Sequence, residues 1–320
     1  MIIVTGGAGF IGSNTINYFL ERKENIVSVD WHNENNENYF PNKTFETVDP
    51  KDLKKFLKIN KKKISIIIHL GAITSTVEKN LDLIIENNLN LSIFLWEWCQ
   101  IHKKRFIYAS SAATFGNGEY GFNDNSEDEY LSQLLPLNLY GWSKHIIDRI
   151  IWKSHAQKKI KTQCVGLKFF NVYGPNEFHK KDMRSIILKI YEKVCCNHTV
   201  KLFKSHNPDF KDGEQLRDFV YVKDVTKIIH WFAKNPGKSG LFNIGSSKAE
   251  SFNKLANCVY RNCNKQKKIQ YVNTPASIRK QYQYYTKAET KKLRKSGYTK
   301  KFYSLEDGIN DYVQNYLRKI

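Results

Sequence analysis

The sequence lacks any long hydrophobic run. None of its segments approaches the roughly 18 consecutive apolar residues that a membrane-spanning helix requires. The first residues include no basic segment and no cleavage site of the kind found in secretory signal peptides. We therefore expect a chain of 320 residues that has no membrane partner and stays in the cytoplasm.

Cysteine forms no recognisable pattern. The six cysteines are Cys99, Cys164, Cys195, Cys196, Cys258 and Cys263. They make no CxxC pair, and no set of cysteines and histidines has the ligand spacing of a zinc site. We expect buried, reduced thiols, and neither a disulfide framework nor a metal site.

Acidic residues are few beside basic ones, 31 against 51, which gives a net charge of +20. An excess of this size invites a nucleic-acid hypothesis, because phosphate neutralisation dominates such binding. Most of the basic residues are lysines, however, and they are scattered along the chain. An anionic small substrate explains part of the charge at least as well, so we expect no nucleic-acid partner.

Short apolar runs and helical patterns alternate in the first half of the chain. We expect strands over Ile2–Thr5, Ile26–Val29, Ile64–Ala72, Arg105–Ser111 and residues 162–175. We expect helices over Ser13–Arg22, Leu81–Gln100, Tyr140–Gln157 and Leu305–Leu317. This alternation predicts an α/β fold, a Rossmann-type doubly wound parallel sheet with helices on both faces. Residues 1–170 would form that domain, and residues 171–320 mainly a smaller C-terminal α/β substrate lobe, with some segments returning to the first domain.

A glycine-rich loop, VTGGAGFIGSN, joins the first predicted strand to the first helix. Gly6, Gly9 and Gly12 follow the spacing GxxGxxG, a variant of the dinucleotide-binding fingerprint. Glycines there allow a tight turn and let the backbone approach a pyrophosphate, which then lies at the helix N-terminus. The first domain is therefore predicted to bind NAD(P).

Asp30 ends the second predicted strand, about 20 residues after the glycines, where an acid typically binds the adenosine ribose hydroxyls. The alternative is an acid that only stabilises the turn after the strand. A carboxylate at this position favours NAD over NADP. No Arg or Lys follows Asp30 until Lys43, so a 2′-phosphate has no obvious partner nearby.

The segment LYGWSK places Tyr140 four residues before Lys144. On a helix these two residues share a face, and a neighbouring cation would lower the pKa of the phenol from about 10. A tyrosine of that kind could accept a proton. Taken alone, the spacing is more typical of a solvated helix face. The segment YASSAATFG adds Ser111 after another predicted strand.

A GxxGxxG loop, a serine and a YxxxK pair in this order resemble the extended short-chain dehydrogenase/reductases. That resemblance implies that Tyr140 transfers a proton, that Lys144 assists it and holds the nicotinamide ribose, and that Ser111 binds the reacting oxygen. Further segments make nearly the whole chain similar to the ADP-L-glycero-D-manno-heptose 6-epimerases. They are FFNVYGPNEFHKKDM, KLF with RDFVYVKDV, FNIGSSKAESF and QYQYYTKAETKKLRKSGY.

The narrower resemblance implies inversion of the sugar at C6 through transient oxidation to a ketone and re-reduction. Lys180 would then face Tyr140 across the sugar, although a surface lysine in a lysine-rich loop is a real alternative. His179 would be a structural neighbour. The resemblance also implies an ADP-sugar substrate and a homo-oligomer, a pentamer in that family.

Contacts with cofactor and substrate follow from the same resemblance. Cofactor contacts are carried to Phe10, Ile11, Asp30, Trp31, Leu70, Gly71, Ala72, Ile73, Thr74, Asn87, Lys144 and Val172. Substrate contacts are carried to Ser111, Asn171, Phe203, Lys204, Ser205, His206, Arg217 and Tyr282. The family binds NADP tightly, but here the lysine expected to meet its 2′-phosphate is missing, so NAD is equally possible. The segment SHNPDFKDGEQL before Arg217 is longer than the family pattern.

Two other kinds of function are compatible with parts of the sequence. A related nucleotide-sugar 4-epimerase is hard to exclude from the first half alone, whereas dehydratases and decarboxylases carry acids where this chain reads TFG. A non-catalytic NAD(P)-binding scaffold would keep the fold without needing Ser111, Tyr140 and Lys144.

Overall fold

Seven parallel strands form the central sheet. The computed structural model describes residues 1–31, 39–40, 45–157, 162–279 and 282–319. The strands are β1 (Ile2–Thr5), β2 (Ile26–Val29), β3 (Glu46–Val48), β4 (Ile66–His69), β5 (Arg105–Ser111), β6 (Cys164–Phe169) and β10 (Gly240–Ile244). Their order across the sheet is β10-β6-β5-β4-β1-β2-β3, and all neighbours run parallel. The predicted doubly wound α/β fold is confirmed.

Continuous apolar runs form the central strands because both faces of this sheet are covered. Successive side chains of a strand point to opposite faces. Thus Ile3 and Ile67 pack in the hydrophobic cluster on one side, while Val4 and Ile68 pack in the cluster on the other. All four are fully buried.

Helices connect and cover the strands. They are α1 (Phe10–Leu20), α2 (Leu53–Asn60), α3 (Leu81–Ile84), α4 (Leu91–Ile101), α5 (Asp128–Gln133), α6 (Leu139–Ala156), α7 (Ile186–Cys195), α8 (Val222–Lys234), α9 (Phe252–Cys263), α10 (Ala276–Arg279), α11 (Lys291–Lys295) and α12 (Leu305–Asn315). Short 3₁₀ helices cover Pro50–Asp52, Ala112–Phe115, Phe178–Met183 and Leu317–Lys319. Among the described residues, none of these helices is both long enough and apolar enough to cross a bilayer.

The helix predicted over Leu81–Gln100 is divided in the structure. A π-helical turn, Ile85–Asn90, lies between α3 and α4. Such turns are rare and are frequently found at functional sites. The apolar period alone could not predict it, because helical backbone continues without a break from Leu81 to Ile101.

The single strand predicted over residues 162–175 is wrong. β6 ends at Phe169, and a separate strand, β7 (Asn171–Tyr173), belongs to another sheet. Between them Phe170 is buried, and its N–H donates to the Ile244 carbonyl at 3.0 Å. The apolar run is continuous in sequence, but the chain passes from one sheet to the other within it.

The second half of the chain supplies two small sheets. β7 pairs in parallel with β9 (Leu216–Tyr221), which also pairs antiparallel with β11 (Ala249–Ser251). β8 (Val200–Phe203) pairs with β12 (Ile269–Val272). A third hydrophobic cluster fills this region. β10 lies instead in the large sheet beside β6.

Candidate active site

The glycine loop makes a close turn between β1 and α1. Gly6 has a φ of +69°, and a Cβ there would lie 2.6 Å from the Cα of Gly71 at the end of β4. A Cβ at Gly12 would lie 1.9 Å from the Gly6 carbonyl oxygen. Glycine is therefore required at Gly6 because both the backbone conformation and the packing exclude a side chain, and at Gly12 because the packing does.

The loop fits a dinucleotide pyrophosphate. α1 begins after Gly9 without a side-chain cap, and the Ser13 N–H makes the first backbone bond of the helix, 2.8 Å to the Gly9 carbonyl. The N–H groups of the first turn, from Phe10 to Gly12, are thus available at the positive end of the helix dipole, which is where phosphates bind.

Asp30 lies beside this loop. Its Oδ2 accepts from the Ala8 N–H at 2.8 Å and its Oδ1 from the Trp31 N–H at 2.8 Å. Burial raises the pKa of Asp30, while these backbone donors lower it. Each carboxylate oxygen has a second lone pair, so the geometry fits two ribose hydroxyl donors. The Trp31 side chain is largely exposed, and Lys43 lies outside the described residues.

The loop after β4 (Leu70 to Thr74) is fixed by the π-helical turn. The Asn88 side chain accepts from the Ile73 N–H at 2.8 Å and donates to the Ile73 carbonyl at 3.0 Å. It also donates to Ser143 Oγ on α6 at 3.0 Å. Asn87, which the resemblance assigned to the cofactor, donates to the Leu83 carbonyl within the helix at 2.9 Å. Sequence reasoning missed Asn88, the residue that joins this loop to α6, the helix that carries Tyr140 and Lys144.

Helix α6 carries Tyr140 and Lys144. Asn138 caps its first turn by accepting from the Gly141 N–H at 2.8 Å. Lys144 is only 2% exposed, and burial lowers its pKa to about 8 although the charge of Asp148 opposes this. In the described chain the Lys144 ammonium has no hydrogen-bond or ion-pair partner.

The expectation that Lys144 lowers the pKa of Tyr140 is wrong. The pKa of Tyr140 is raised, because burial disfavours the phenolate and the charge of Asp148 adds to that effect, while the Ser111 hydroxyl opposes it. Ser111 Oγ accepts from the Ala113 N–H at 3.1 Å, and its hydroxyl lies against Tyr140 in the cleft.

Lys180 belongs to the 3₁₀ segment that follows β7. Its ammonium lies 5.5 Å from the centroid of the Phe10 ring, at the start of α1. Burial lowers the pKa of Lys180, and the charge of Glu177 opposes this. His179 bonds through Nδ1 to the Tyr39 hydroxyl at 2.7 Å, a position that fits the expected structural neighbour.

Hydrogen bonds attach the Lys180 segment to the cofactor helix. Asn14 Nδ2 donates to the Pro175 carbonyl at 2.8 Å, and Asn176 Nδ2 donates to Ser13 Oγ at 3.1 Å. The lysine that the sequence could only assign by resemblance is thereby held next to the glycine loop.

Arg217 is a buried cation at the other end of the site. Its guanidinium donates to the Leu216 carbonyl at 2.9 Å and to the Gln283 carbonyl, and has no acidic partner among the described residues. The Phe252 and Tyr282 rings lie 5.7 Å and 5.4 Å from it. Burial lowers the pKa of Arg217. A buried cation without a carboxylate suits an anionic ligand.

Apart from Asn171 on β7, the remaining predicted substrate residues lie at the end of β8, in the loop after it, and at Tyr282 beside Arg217. The Phe203 and Tyr282 rings are in edge contact, with centroids 5.9 Å apart. The His206 N–H donates to the Tyr284 hydroxyl at 2.9 Å, and the Ser205 N–H donates to the Asp212 carboxylate at 2.8 Å. Lys204 is exposed at the end of β8.

One cleft of about 380 Å³ joins the two halves of the site. Its lining includes Phe10, Ile11, Thr74, Ser111, Tyr140, Asn171, Val172, Lys180 and Arg217, together with the unpredicted Met183 and Phe252. A tyrosine, a lysine, a serine hydroxyl and a buried arginine thus meet in one space of ligand size. No cluster of three or more potential metal ligands occurs in the part of the chain that the structure describes.

The sequence profile of the NAD dependent epimerase/dehydratase family matches residues 2–245. The chain belongs to this family. Within it, the similarity extends over the whole length to one group of enzymes.

An ADP-L-glycero-D-manno-heptose-6-epimerase of Fusobacterium nucleatum subsp. nucleatum is 44% identical over 335 residues, covering 100% of this chain and 98% of the relative. One of Nitratidesulfovibrio vulgaris is 41% identical over 325 residues, covering 99% and 98%. The crystal structure of Helicobacter pylori ADP-L-glycero-D-manno-heptose-6-epimerase superposes with a TM-score of 0.80 at 29% identity, covering 100% of this chain and 96% of that one. The resemblance predicted from the segments after residue 170 is confirmed.

Proposed function

We propose that the protein inverts C6 of the heptose in ADP-D-glycero-D-manno-heptose to give the L-glycero epimer. The observation that carries this proposal is the shared cleft, which Tyr140, Lys180 and Arg217 all line. Arg217 is available there to bind an anionic group. The names of the full-length relatives supply the sugar and the nucleotide.

Burial shifts the pKa values of the two proposed proton-transfer groups in opposite directions. It lowers the pKa of Lys180, which makes loss of a proton from the ammonium easier, and raises the pKa of Tyr140, which keeps the phenol protonated and able to donate. In its deprotonated form, Lys180 takes the proton from the C6 hydroxyl of the epimer that presents this hydroxyl to Lys180. After the ketone has turned, Tyr140 protonates the oxygen on the other side, and the reverse reaction exchanges the roles. A proton returned through solvent restores both groups.

The nicotinamide cofactor, when bound, would accept the hydride from C6 and return it to the opposite face. The chain's own residues orient the reaction. Ser111 donates a hydrogen bond to the C6 oxygen, which holds it between the two proton-transfer groups. Lys144, bearing its charge below a pH of about 8, holds the nicotinamide ribose beside Tyr140.

Arg217 accounts for the nucleotide part of the substrate. A guanidinium can bind two phosphate oxygens at once, and the fixed carbonyl contacts leave part of its donor set for the diphosphate. The aromatic rings of Phe203 and Tyr282, next to it, offer flat apolar surface to the adenine base.

We further propose NAD as the cofactor rather than NADP. The Asp30 carboxylate accepts from two backbone donors and would repel a 2′-phosphate at the same position. Mass spectrometry of the nucleotide released from the denatured protein distinguishes the two. A homo-oligomeric state and a cytoplasmic location stay predictions, and light scattering of the purified protein tests the first.

The function is tested by mixing the protein with ADP-, GDP- and UDP-sugars without added cofactor and following the sugar protons by NMR. We expect the 6-epimers of ADP-glycero-manno-heptose to interconvert and the other sugars to remain unchanged. Turnover of UDP-galactose without turnover of ADP-heptose would replace the proposal with a 4-epimerase.

A further inference from the structure

A fully buried ion pair lies beneath the candidate active site. Lys168 on β6 and Asp148 on α6 both have 0% exposed side chains, and Lys168 Nζ lies 2.9 Å from Asp148 Oδ2. Asp148 is four residues after Lys144, and Lys144 is four residues after Tyr140. The three side chains therefore occupy one face of α6, each about one helical turn after the one before it.

Three donors surround the Asp148 carboxylate. Oδ1 accepts from the Tyr108 hydroxyl at 2.9 Å, and Oδ2 accepts from Ser110 Oγ at 2.7 Å in addition to the lysine. The Tyr108 oxygen in turn accepts from Trp152 Nε1 at 3.0 Å. The position of this carboxylate is thus fixed from both β5 and α6.

Lys168 extends the network to Ser111. Its ammonium donates to Thr114 Oγ1 at 2.5 Å, and Thr114 Oγ1 donates to the Ser111 carbonyl at 2.8 Å. Hydrogen bonds therefore connect Asp148 to Ser110, and Lys168 through Thr114 to the backbone of Ser111. These two serines end β5 at the cleft.

Stabilisation of the fold does not by itself explain a fully buried ion pair. Taking two charges out of water costs about as much as their attraction returns, and well-packed apolar replacements are often neutral or stabilising. Lys144 is a second buried cation in the same region, with no ion-pair partner of its own in the described chain. Asp148 is the acidic residue on the face of α6 that carries Lys144.

We propose that Asp148 and Lys168 are a positioning pair for the reaction proposed above: Asp148 holds negative charge one helical turn from Lys144, and Lys168 with Thr114 fixes the backbone of Ser111. Neither residue touches the substrate. Asp148 acts through Lys144, whose cation it stabilises in a buried place. Lys168 compensates the charge of Asp148, so that the strand and the helix can approach each other.

The effect of Asp148 on Lys144 is opposed by burial, which lowers the pKa of Lys144 to about 8. Without the carboxylate, the pKa of Lys144 should fall further, so that the cation is lost near neutral pH. A charge one turn away, at about 6 Å and an effective dielectric of about 20, corresponds to roughly one to two pH units. Other titratable groups facing Asp148 are Tyr108, Cys164 and Lys168 from the sheet and Tyr140 and His145 from α6, and His69 from β4 faces Lys144.

The direct test measures the pKa of Lys144 in the full-length protein. Lysine labelled with ¹³C at Cε gives one resonance that is missing from Lys144→Met, and its pH titration reports the pKa. In Asp148→Asn we expect this pKa to fall by about one to two units. A fall of less than half a unit would overturn the proposal, whatever substrate the enzyme accepts.

A second variant separates positioning from folding. Asp148→Asn leaves Lys168 buried and unpaired, so its thermal midpoint should drop, and adding Lys168→Met should restore much of it. The double variant should still turn over ADP-heptose at least tenfold more slowly at neutral pH, with little change in KM. Wild-type turnover and pH profile in the double variant would overturn the positioning role.

The matched control is Asp128→Asn. Asp128 also pairs with a basic residue of α6, Arg149 at 3.0 Å, but both side chains are substantially exposed. In Asp128→Asn, turnover should therefore change less than twofold. The pKa of Lys144 should hardly change. Lack of ADP-heptose turnover by the wild type would refute the proposed function but would leave the Lys144 titration as a decisive result for the pair.

Discussion

Replacing Lys180 with methionine removes an ammonium group and keeps most of the length of the side chain. Lys180 lines the same cleft as Tyr140, and burial lowers its pKa. In the described part of the chain its ammonium makes no hydrogen bond or ion pair, and it lies 5.5 Å from the Phe10 ring centroid. The variant therefore tests proton transfer with little structural disturbance.

The magnitude of the loss distinguishes two roles for Lys180. The cation–π contact with Phe10 is worth about 0.5–1 kcal/mol, so a lysine that only packs there would change the rate by about two- to fivefold. General acid–base catalysis by a positioned side chain contributes about 10²–10⁴-fold. The two roles predict results that differ by more than an order of magnitude.

The assay is single-turnover reduction of the bound cofactor, followed by absorbance with each epimer in separate experiments. Lys180→Met should slow the reaction of one epimer by at least 10²-fold, and Tyr140→Phe should slow that of the other by a similar factor. Both variants should keep their cofactor. Lys181→Met, which removes the exposed lysine next in the chain, should react like the wild type. A Lys180 variant impaired less than about tenfold with both epimers would refute the reasoning.

Three further predictions concern the cofactor half of the site. Asp30→Ala should weaken NAD binding by about 10- to 100-fold, because it removes charge-assisted hydrogen bonds, and unchanged affinity in a fluorescence titration would exclude that role. Gly12→Ala should abolish NAD binding, since its Cβ would lie 1.9 Å from the Gly6 oxygen, whereas Gly237→Ala, in open space, should bind normally in the same titration. Burial lowers the pKa of Lys144 to about 8 from 10.5, so between these values the unfolded chain binds more protons than the folded one. The free energy of unfolding of the cofactor-free protein, measured with urea, should therefore rise with pH across this window by up to about 3 kcal/mol, and Lys144→Met should remove that rise.

Spacing in the sequence predicted those site residues whose positions are set by a single helix or turn. The glycines lie at the turn between β1 and α1, and Tyr140 and Lys144 share a face of α6. The same four-residue step, continued once, reaches Asp148, so the spacing in the sequence also indicates that residue.

Other parts of the site depend on the approach of distant segments. Lys180 reaches the cleft because its segment is bonded to α1, which is more than 160 residues away in sequence. Asn88 acquires its role from a π-helical turn that apolar periodicity does not reveal. Lys168 lies in an apolar strand, and its partner is recognisable only after β6 and α6 have packed together.

The strand β10 is synthesised long after β6, the strand with which it pairs, and this has a consequence for the newly synthesised chain. About 75 residues separate Phe169, at the end of β6, from Ile244, at the end of the strand that pairs with it. At about 5–20 residues per second, the ribosome needs about 4–15 s to supply that partner. During this interval β6 has an unpaired edge, which is the kind of surface that associates with other chains. We therefore expect β6 to be a principal site of chaperone binding and of misassembly while translation is still in progress.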